Sequence, residues 1–451
     1  MKTRFWRFTV CILASIFVFN YWGFAREKEL PDALTLQDCL KIAVGRNRAL
    51  LISRAKTKGA KARQAQVVSA QLPSGSAQAY KITANQPSSS ISGTDQQTQK
   101  VVLSDTFQPF GRYQSQKRAA DKAVKASLAD EKRVENDTAF QVVKTFYDIL
   151  LAQELIKIAS ESVDQLTRHR NETQTMVDAG SVPKFDLLRA EVQLSSVQPN
   201  LIKARHSIKN YLADLQNILG LDPTYEPTLI GSFPQDVPLP PDETSCMEFA
   251  LKKRPDLISA IAAAENAAFQ LKAARQGFQP TLQLSNTWER NKGYRPPLNQ
   301  DRYIMSTQVG LVFPFLDSGL TREKSREAGS ALEQAKLNQD AVVSALKVDV
   351  KKSTSGLIEA SEVVKSQEKN VEQAREALNI AEIAYRTGAK TSLDVLDAQV
   401  ALTQALTLWY QALHGRAVAF SQLQRSVGIT PGYEADIGLL SLKSSTDDTA
   451  K

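Results

Sequence analysis

The stretch Asp178-Ala179-Gly180-Ser181-Val182-Pro183-Lys184-Phe185-Asp186-Leu187-Leu188-Arg189-Ala190 returns as Arg386-Thr387-Gly388-Ala389-Lys390-Thr391-Ser392-Leu393-Asp394-Val395-Leu396-Asp397-Ala398. Gly180 falls on Gly388, Asp186 on Asp394, Leu188 on Leu396 and Ala190 on Ala398, at an offset of 208 (388 − 180). Cys39, Ala43, Leu50, Ala55, Ala60 and Pro73 recur as Cys246, Ala250, Leu257, Ala262, Ala267 and Pro280, at an offset of 207 (257 − 50). Leu219-Gly220-Leu221-Asp222-Pro223 likewise returns as Val427-Gly428-Ile429-Thr430-Pro431. A register held over this many positions makes the chain one structural unit used twice.

Each glycine turn closes a long uninterrupted run. Residues 112–179 contain neither glycine nor proline, and residues 320–387 contain no proline and only Gly329 and Gly356. Each run, about 68 residues, can form one helix roughly 100 Å long. Ordinary globular helices are far shorter, so the pair points to a tube or spacer.

The order within each half reads helix, strand, strand, long helix, return helix. In the first half, 35–71 is helical and Pro73 ends it. Strands are expected at about 76–87 and 97–108, parted by a Ser/Gly-rich stretch and closed by Pro109-Phe110-Gly111. After the turn at Gly180 a return helix spans about 184–219, kinked at Pro199. The second half repeats this with a helix at 243–277, strands at about 281–290 and 302–313, Pro314-Phe315 to Gly319, and a return helix at about 391–427. The domains are therefore a first repeat at 34–221, a proline-rich linker at 222–242, a second repeat at 243–437 and a polar tail at 438–451. In each repeat two shorter helices placed end to end match one long helix, forming a wall roughly 100 Å tall.

Helix faces and strand faces carry different patterns. Val364, Gln367, Val371, Ala374, Leu378, Ala381 and Tyr385 are spaced alternately by three and four, a coiled-coil seam. The return helix after Gly388 carries two such seams, so it has neighbours on both sides. Along the strands, Met305, Thr307, Val309, Leu311 and Phe313 share one face, opposite Ser306, Gln308 and Gly310. Leu282, Leu284 and Trp288 share a face against Thr281, Gln283, Ser285, Thr287 and Glu289. Apolar-out, polar-in strands of this length suit an outer-membrane barrel. A half-buried hairpin on a soluble domain has the same alternation. Four strands cannot enclose a pore, so a barrel requires several chains; three give about twelve strands.

The address is secretory. Lys2, Arg4 and Arg7 precede a mostly apolar run at 8–24, and Gly23-Phe24-Ala25 offers small cleavage residues, so 1–25 is expected to be a signal peptide; the rival reading is an uncleaved membrane anchor, which the short run and its interruption at Asn20 disfavour. Cleavage lowers the formal charge from +8 to +5 (8 − 3). No later segment is long and apolar enough for a membrane helix. The diffuse positive balance gives no nucleic-acid footprint. Cys39 and Cys246 occupy equivalent repeat positions, a repeat width apart, beyond the ~7 Å Cα separation a disulfide tolerates. His169, His206 and His414 are scattered over helices, and no HExxH, CxxC, GxSxG or phosphate loop is present. No enzymatic activity, cofactor or metal site is expected.

Over 34–437 the chain resembles the TolC-like outer-membrane efflux factor family. The resemblance rests on the duplicated element order, the strand-ending Pro109-Phe110-Gly111 and Pro314-Phe315 with Gly319, and above all Ala384-Tyr385-Arg386-Thr387-Gly388 with Leu393-Asp394-Val395-Leu396-Asp397-Ala398. It implies a mainly α fold with membrane β: a homotrimer with a twelve-stranded barrel in the outer-membrane lipid and a periplasmic α-helical tunnel. It also implies an exit duct for a tripartite efflux pump or type I secretion system, completed by a periplasmic adaptor and an inner-membrane transporter. The aperture positions it assigns are Asp394, Asp397, Tyr385, Lys390 and, in the first repeat, Asp186. The hairpin tips Gly180, Ser181, Gly388 and Ala389 are the implied adaptor docking points. Lys390 stands where the family commonly has arginine and cannot make its two-pronged pairing. Val177 stands in the first repeat where Tyr385 stands in the second. The alternative is a soluble periplasmic coiled-coil adaptor or scaffold, which would use the long hairpins without needing amphipathic strands. A further reading of Asp394 is purely local, as an acid favoured at a helix start.

Overall fold

The computed structural model describes residues 31, 33–84, 94–240, 242–295, 298–387 and 389–432. The expected signal peptide, the polar tail and Gly388 lie outside the described residues.

The elements are β1 (Ala33–Leu34), α1 (Leu36–Arg46), α2 (Arg48–Ser69), β2 (Ser74–Ala84), β3 (Thr94–Phe107), α3 (Arg112–Asp178), α4 (Lys184–Leu219), β4 (Thr228–Leu229), α5 (Glu243–Lys253), α6 (Pro255–Arg275), β5 (Thr281–Arg295), β6 (Leu298–Val312), α7 (Leu320–Arg386) and α8 (Ser392–Val427). The two long helices, α3 and α7, are 67 residues each. Both start after a left-handed glycine, Gly111 and Gly319, at the end of a strand pair.

The expected single helix at 35–71 is two helices. Asn47 is extended, its side chain caps Leu50 N–H at 3.0 Å, and its Nδ2 donates to the Ile218 carbonyl at 2.7 Å. The expected helix at 243–277 breaks at the equivalent place. Arg254 is extended because Pro255 follows it at the first helical position. Strand ends differ too. β5 continues past the expected end to Arg295 and β6 begins at Leu298, so Asn299, which falls between the two expected strands, pairs with Tyr294. Pro199 sits inside α4, as expected.

The helices form a wall four across. In the half near the turns the order is α4, α3, α8, α7; in the half near the strands it is α2, α3, α6, α7. Two equivalent cores pin the middle. In one, Cys39, Leu40 and Ala43 of α1 meet Val142, Phe146 and Ile149 of α3 and Leu215 and Leu219 of α4. In the other, Cys246, Ala250 and Leu257 meet Leu346, Val350 and Leu357 of α7 and Leu423 and Val427 of α8. The coiled-coil seam is buried at Val364, Val371, Leu378 and Ala381.

Neither Cys39 nor Cys246 is in a disulfide, and both are buried. Burial pushes the Cys39 thiol up to about 12 and raises that of Cys246. Thiolate is the reactive form, so maleimide at pH 7 should leave both unmodified in the native protein. After unfolding without reductant both should label; rapid native labelling would contradict this packing.

The four long strands make one antiparallel sheet in the order β2-β3-β5-β6, with β2 and β6 at its edges. On one face Phe107, Leu282 and Leu311 form a row, then Leu284 with Val309, then Val101, Trp288 and Met305. These side chains are solvent-exposed in the single chain. Asp105 and Asn286 interrupt this face. On the other face lie Ser104, Ser285 and Gln308, then Thr287 and Ser306, and Thr98 Oγ1 donates to Asn291 Oδ1 at 2.8 Å.

Candidate functional site

The implied aperture residues lie at the sheet-distal end, where α3 turns into α4 and α7 into α8. The first turn is closed by a left-handed Gly180 (φ 71°), with Ser181 N–H donating to the Met176 carbonyl at 2.8 Å and Gly180 N–H to that of Val177 at 2.9 Å. This is the double bond pattern of a Schellman stop. At the second turn Ala389 N–H makes the same five-back bond to the Ala384 carbonyl, at 2.8 Å. Ser181, Ala389 and Lys390 are exposed.

Asp394 sits in a capping box. Its Oδ2 accepts from Thr391 N–H at 2.9 Å and from Thr391 Oγ1 at 2.7 Å. The Thr391 bonds, with a smaller contribution from Lys390, hold its carboxyl below the ordinary 3.8. The cap's contribution is therefore present above that ordinary value and lost as pH falls through the lowered one. Asp397, one turn on, is exposed. Asp186 lies in the first turn of α4, where its charge favours the helix dipole.

Tyr385 reaches from α7 to α3. Its hydroxyl donates to Met176 Sδ at 3.7 Å, and its ring lies 6.4 Å from that of His169. Burial, then Glu172 and Asp186, raises its pKa. His169 Nε2 is 2.7 Å from Ser392 Oγ on α8, and burial lowers its pKa against an opposing pull from Glu172. His169, Glu172, Met176 and Tyr385 line a groove of about 650 Å³ with Glu382 and Gln399. The structure thus joins Tyr385 to the electrostatic neighbourhood of Asp186, and keeps Asp394 on its own helix start. Glu172, Met176 and Ser392 were not singled out from the sequence, where His169 is only one of three scattered helix histidines. Spacing on α3 places His169, Glu172 and Met176 on one face, but nothing local signals Ser392.

A graded set of contacts joins α3 to α7 and α8. Near the middle, Arg425 Nε donates to Asp137 Oδ1 at 2.7 Å and His414 Nε2 lies 2.7 Å from Asp148 Oδ1. Toward the turns the joints become a neutral histidine–serine bond and a tyrosine–thioether contact. Charge-assisted bonds are roughly twice as strong as neutral ones, so these four joints of α3 to α7 and α8 are weaker near the turns than near the middle.

The sequence profile of the outer membrane efflux protein family matches residues 39–221 and again 247–429. The chain belongs to the outer membrane efflux protein family. The two matches fall on the two repeats. Among curated relatives, the chain is 24% identical to the alkaline protease secretion protein AprF of Pseudomonas aeruginosa, over 76% of this chain and 72% of that one. It is 24% identical to the cobalt-zinc-cadmium resistance protein CzcC of Cupriavidus metallidurans, over 70% of this chain and 74% of that one. The Campylobacter jejuni CmeC outer membrane channel has a similar fold, with a TM-score of 0.78, 16% identity and 93% of each chain covered. As an outer membrane efflux protein, the chain is a mainly α channel protein of the Gram-negative outer membrane, with its strands as the membrane part and its helices in the periplasm. Among the described residues no helix is long and apolar enough to cross a membrane.

Proposed function

We propose that three copies of this chain form a continuous exit duct through the outer membrane and periplasm. The duct receives cargo from a periplasmic adaptor and an inner-membrane transporter, in a tripartite efflux pump or a type I secretion system. The observation that carries this reading is the open sheet: β2 and β6 are its edges, and four strands cannot enclose a lumen. The helical wall is open in the same sense. Exposed Leu51 and Ile52 on α2 and Phe185, Val192 and Ile202 on α4 lie along one edge, and Leu337, Ile380 and Ile383 lie on α7 at the other. The α2 edge continues into β2 and the α7 edge is continuous with β6, so one copy's trailing edge meets the next copy's leading edge. Such head-to-tail contacts generate a ring when the rotation closes. A soluble adaptor would leave the apolar sheet face in water.

In this reading Asp394 and Asp397 from three chains ring the periplasmic entrance, and Tyr385, Lys390 and Asp186 belong to the closed state. The tips at Gly180, Ser181, Gly388 and Ala389 meet the adaptor. The domain division stated above, with the leader at 1–25 removed, is part of the same proposal. Relatives named for protease secretion and for metal resistance are each 24% identical to this chain; in this reading the inner-membrane partner, not the duct, chooses the cargo. The test is crosslinking in cells. Ser181→Cys and Ala389→Cys should trap the adaptor. Trapping only at Asn299→Cys would reverse the orientation.

A further inference from the structure

Beyond Val101, Trp288 and Met305, the apolar sheet face changes chemistry. The next row is Ala79, Gln99, Arg290 and Tyr303, and the row after it is Lys81, Gln97, Lys292 and Asp301. The two rows hold three cations and one anion. Arg290 Nη2 donates to Asp301 Oδ2 at 2.6 Å, and its guanidinium lies over the Tyr303 ring, 5.6 Å from the centroid. This holds Arg290 flat against the sheet. Lys81 and Lys292 are exposed and flank Gln97 from the strands on either side. Adjacent strands are ~4.8 Å apart, so the two lysine backbones are separated by roughly 10 Å. Lys81 already has a contact of its own in the single chain, which a phosphate would share or replace; one phosphate seated in the gap is within the length of both lysine side chains.

The height of the rows identifies the occupant. Lys292 is ten residues beyond Leu282, the row nearest the helices (292 − 282). At ~3.3 Å per residue that is roughly 33 Å along the strand. A strand tilt of about 40° leaves ~25 Å of vertical rise, the height of the apolar band on outer-membrane barrels. The cations therefore stand at the outer boundary of the hydrocarbon, level with lipid headgroups, and on the lipid side of the sheet. A lumenal or periplasmic anion does not reach this face.

We propose that Lys81, Lys292 and Arg290 form a binding site for the phosphate groups of outer-leaflet glycolipid. The inference rests on the barrel reading above. Lysine ammonium groups supply the point charges, and Tyr303 and Trp288 lie against the upper acyl chains as boundary aromatics do. In a ring of three chains the site occurs three times.

Native mass spectrometry of the detergent-extracted complex tests this, with diphosphorylated lipid A and the same lipid stripped of phosphate as probes. The wild-type complex should retain the phosphorylated form at least tenfold more strongly, as expected for charge-assisted bonds. The double variant Lys81→Gln/Lys292→Gln should lose about tenfold in retention, and Lys292→Arg should keep it. Lys100→Gln, on the opposite face, should change nothing. No phosphate preference in the wild type, an undiminished preference in the double variant, or an equal loss with Lys100→Gln would overturn the site. The same spectra separate the two claims. An intact trimer without phosphate preference rejects the site alone, whereas a complex that is not a trimer rejects the barrel reading beneath it.

Discussion

Replacing Asp394 and Asp397 together with alanine is expected to strip the duct of most of its cation preference and to weaken block by polyvalent cations by about tenfold or more. In a ring of three chains the two acids place up to six charges around one axis, and clustered carboxylates focus a negative potential. The single variants should differ. Asp394 is engaged by Thr391 at the start of α8, so Asp394→Ala removes a cap as well as a charge. It should lower thermal stability slightly and disturb the turn. Asp397 is exposed on the next turn, so Asp397→Asn should change selectivity and leave stability untouched. The charge on Asp394 should persist to more acidic pH than an ordinary carboxylate, because its pKa is lowered. Tyr385→Phe should raise conductance only modestly, since the acceptor it loses is a thioether at 3.7 Å. Planar-bilayer recordings with cations added on the turn side measure all of these. Unchanged selectivity and block in the double variant would reduce both acids to helix-start residues.

The second large effect is structural. Valine at Gly220 or Gly428 should prevent recovery of folded channel from the membrane. Both glycines are left-handed, at φ 65° and 89°, and end α4 and α8 with Schellman bonds. An added Cβ at Gly220 comes within 2.5 Å of the Arg46 carbonyl oxygen, and one at Gly428 within 2.9 Å of Arg254 Cα. Both neighbours are backbone, at the points where α1 meets α2 and α5 meets α6. Left-handed strain alone costs ~1–2 kcal/mol, and the displaced backbone adds to it, which places the total among the rare severe substitutions. Gly180→Ala, with nothing within 4 Å of the new Cβ, carries the strain without the clash. It should be tolerated far better in a thermal unfolding series.

These glycines also indicate what a sequence can display. Gly220 and Gly428 were visible as repeat partners, and the left-handed turn at Gly180 followed from the end of a long run. The strand faces were legible because alternation needs only local spacing. The break at Arg254 was legible in principle, since Pro255 forces its predecessor out of the helical region. The break at Asn47 was not, because its decisive partner, the Ile218 carbonyl, is 171 residues away. His169 was hidden for the same reason, its partner Ser392 lying 223 residues on. The double role of Asp394 was half legible. Thr391 and Asp394 have capping-box spacing, yet what three such turns do around an axis depends on neighbours that no single chain contains. The outer cationic rows were hidden because row membership depends on register across four strands.

The central claim is that three open walls close into one duct. The most direct measurement is the mass of the complex extracted from the outer membrane in mild detergent, taken together with its conductance in a planar bilayer. The account predicts a complex of three chain masses that conducts. A stable monomer or dimer that conducts ions would contradict it.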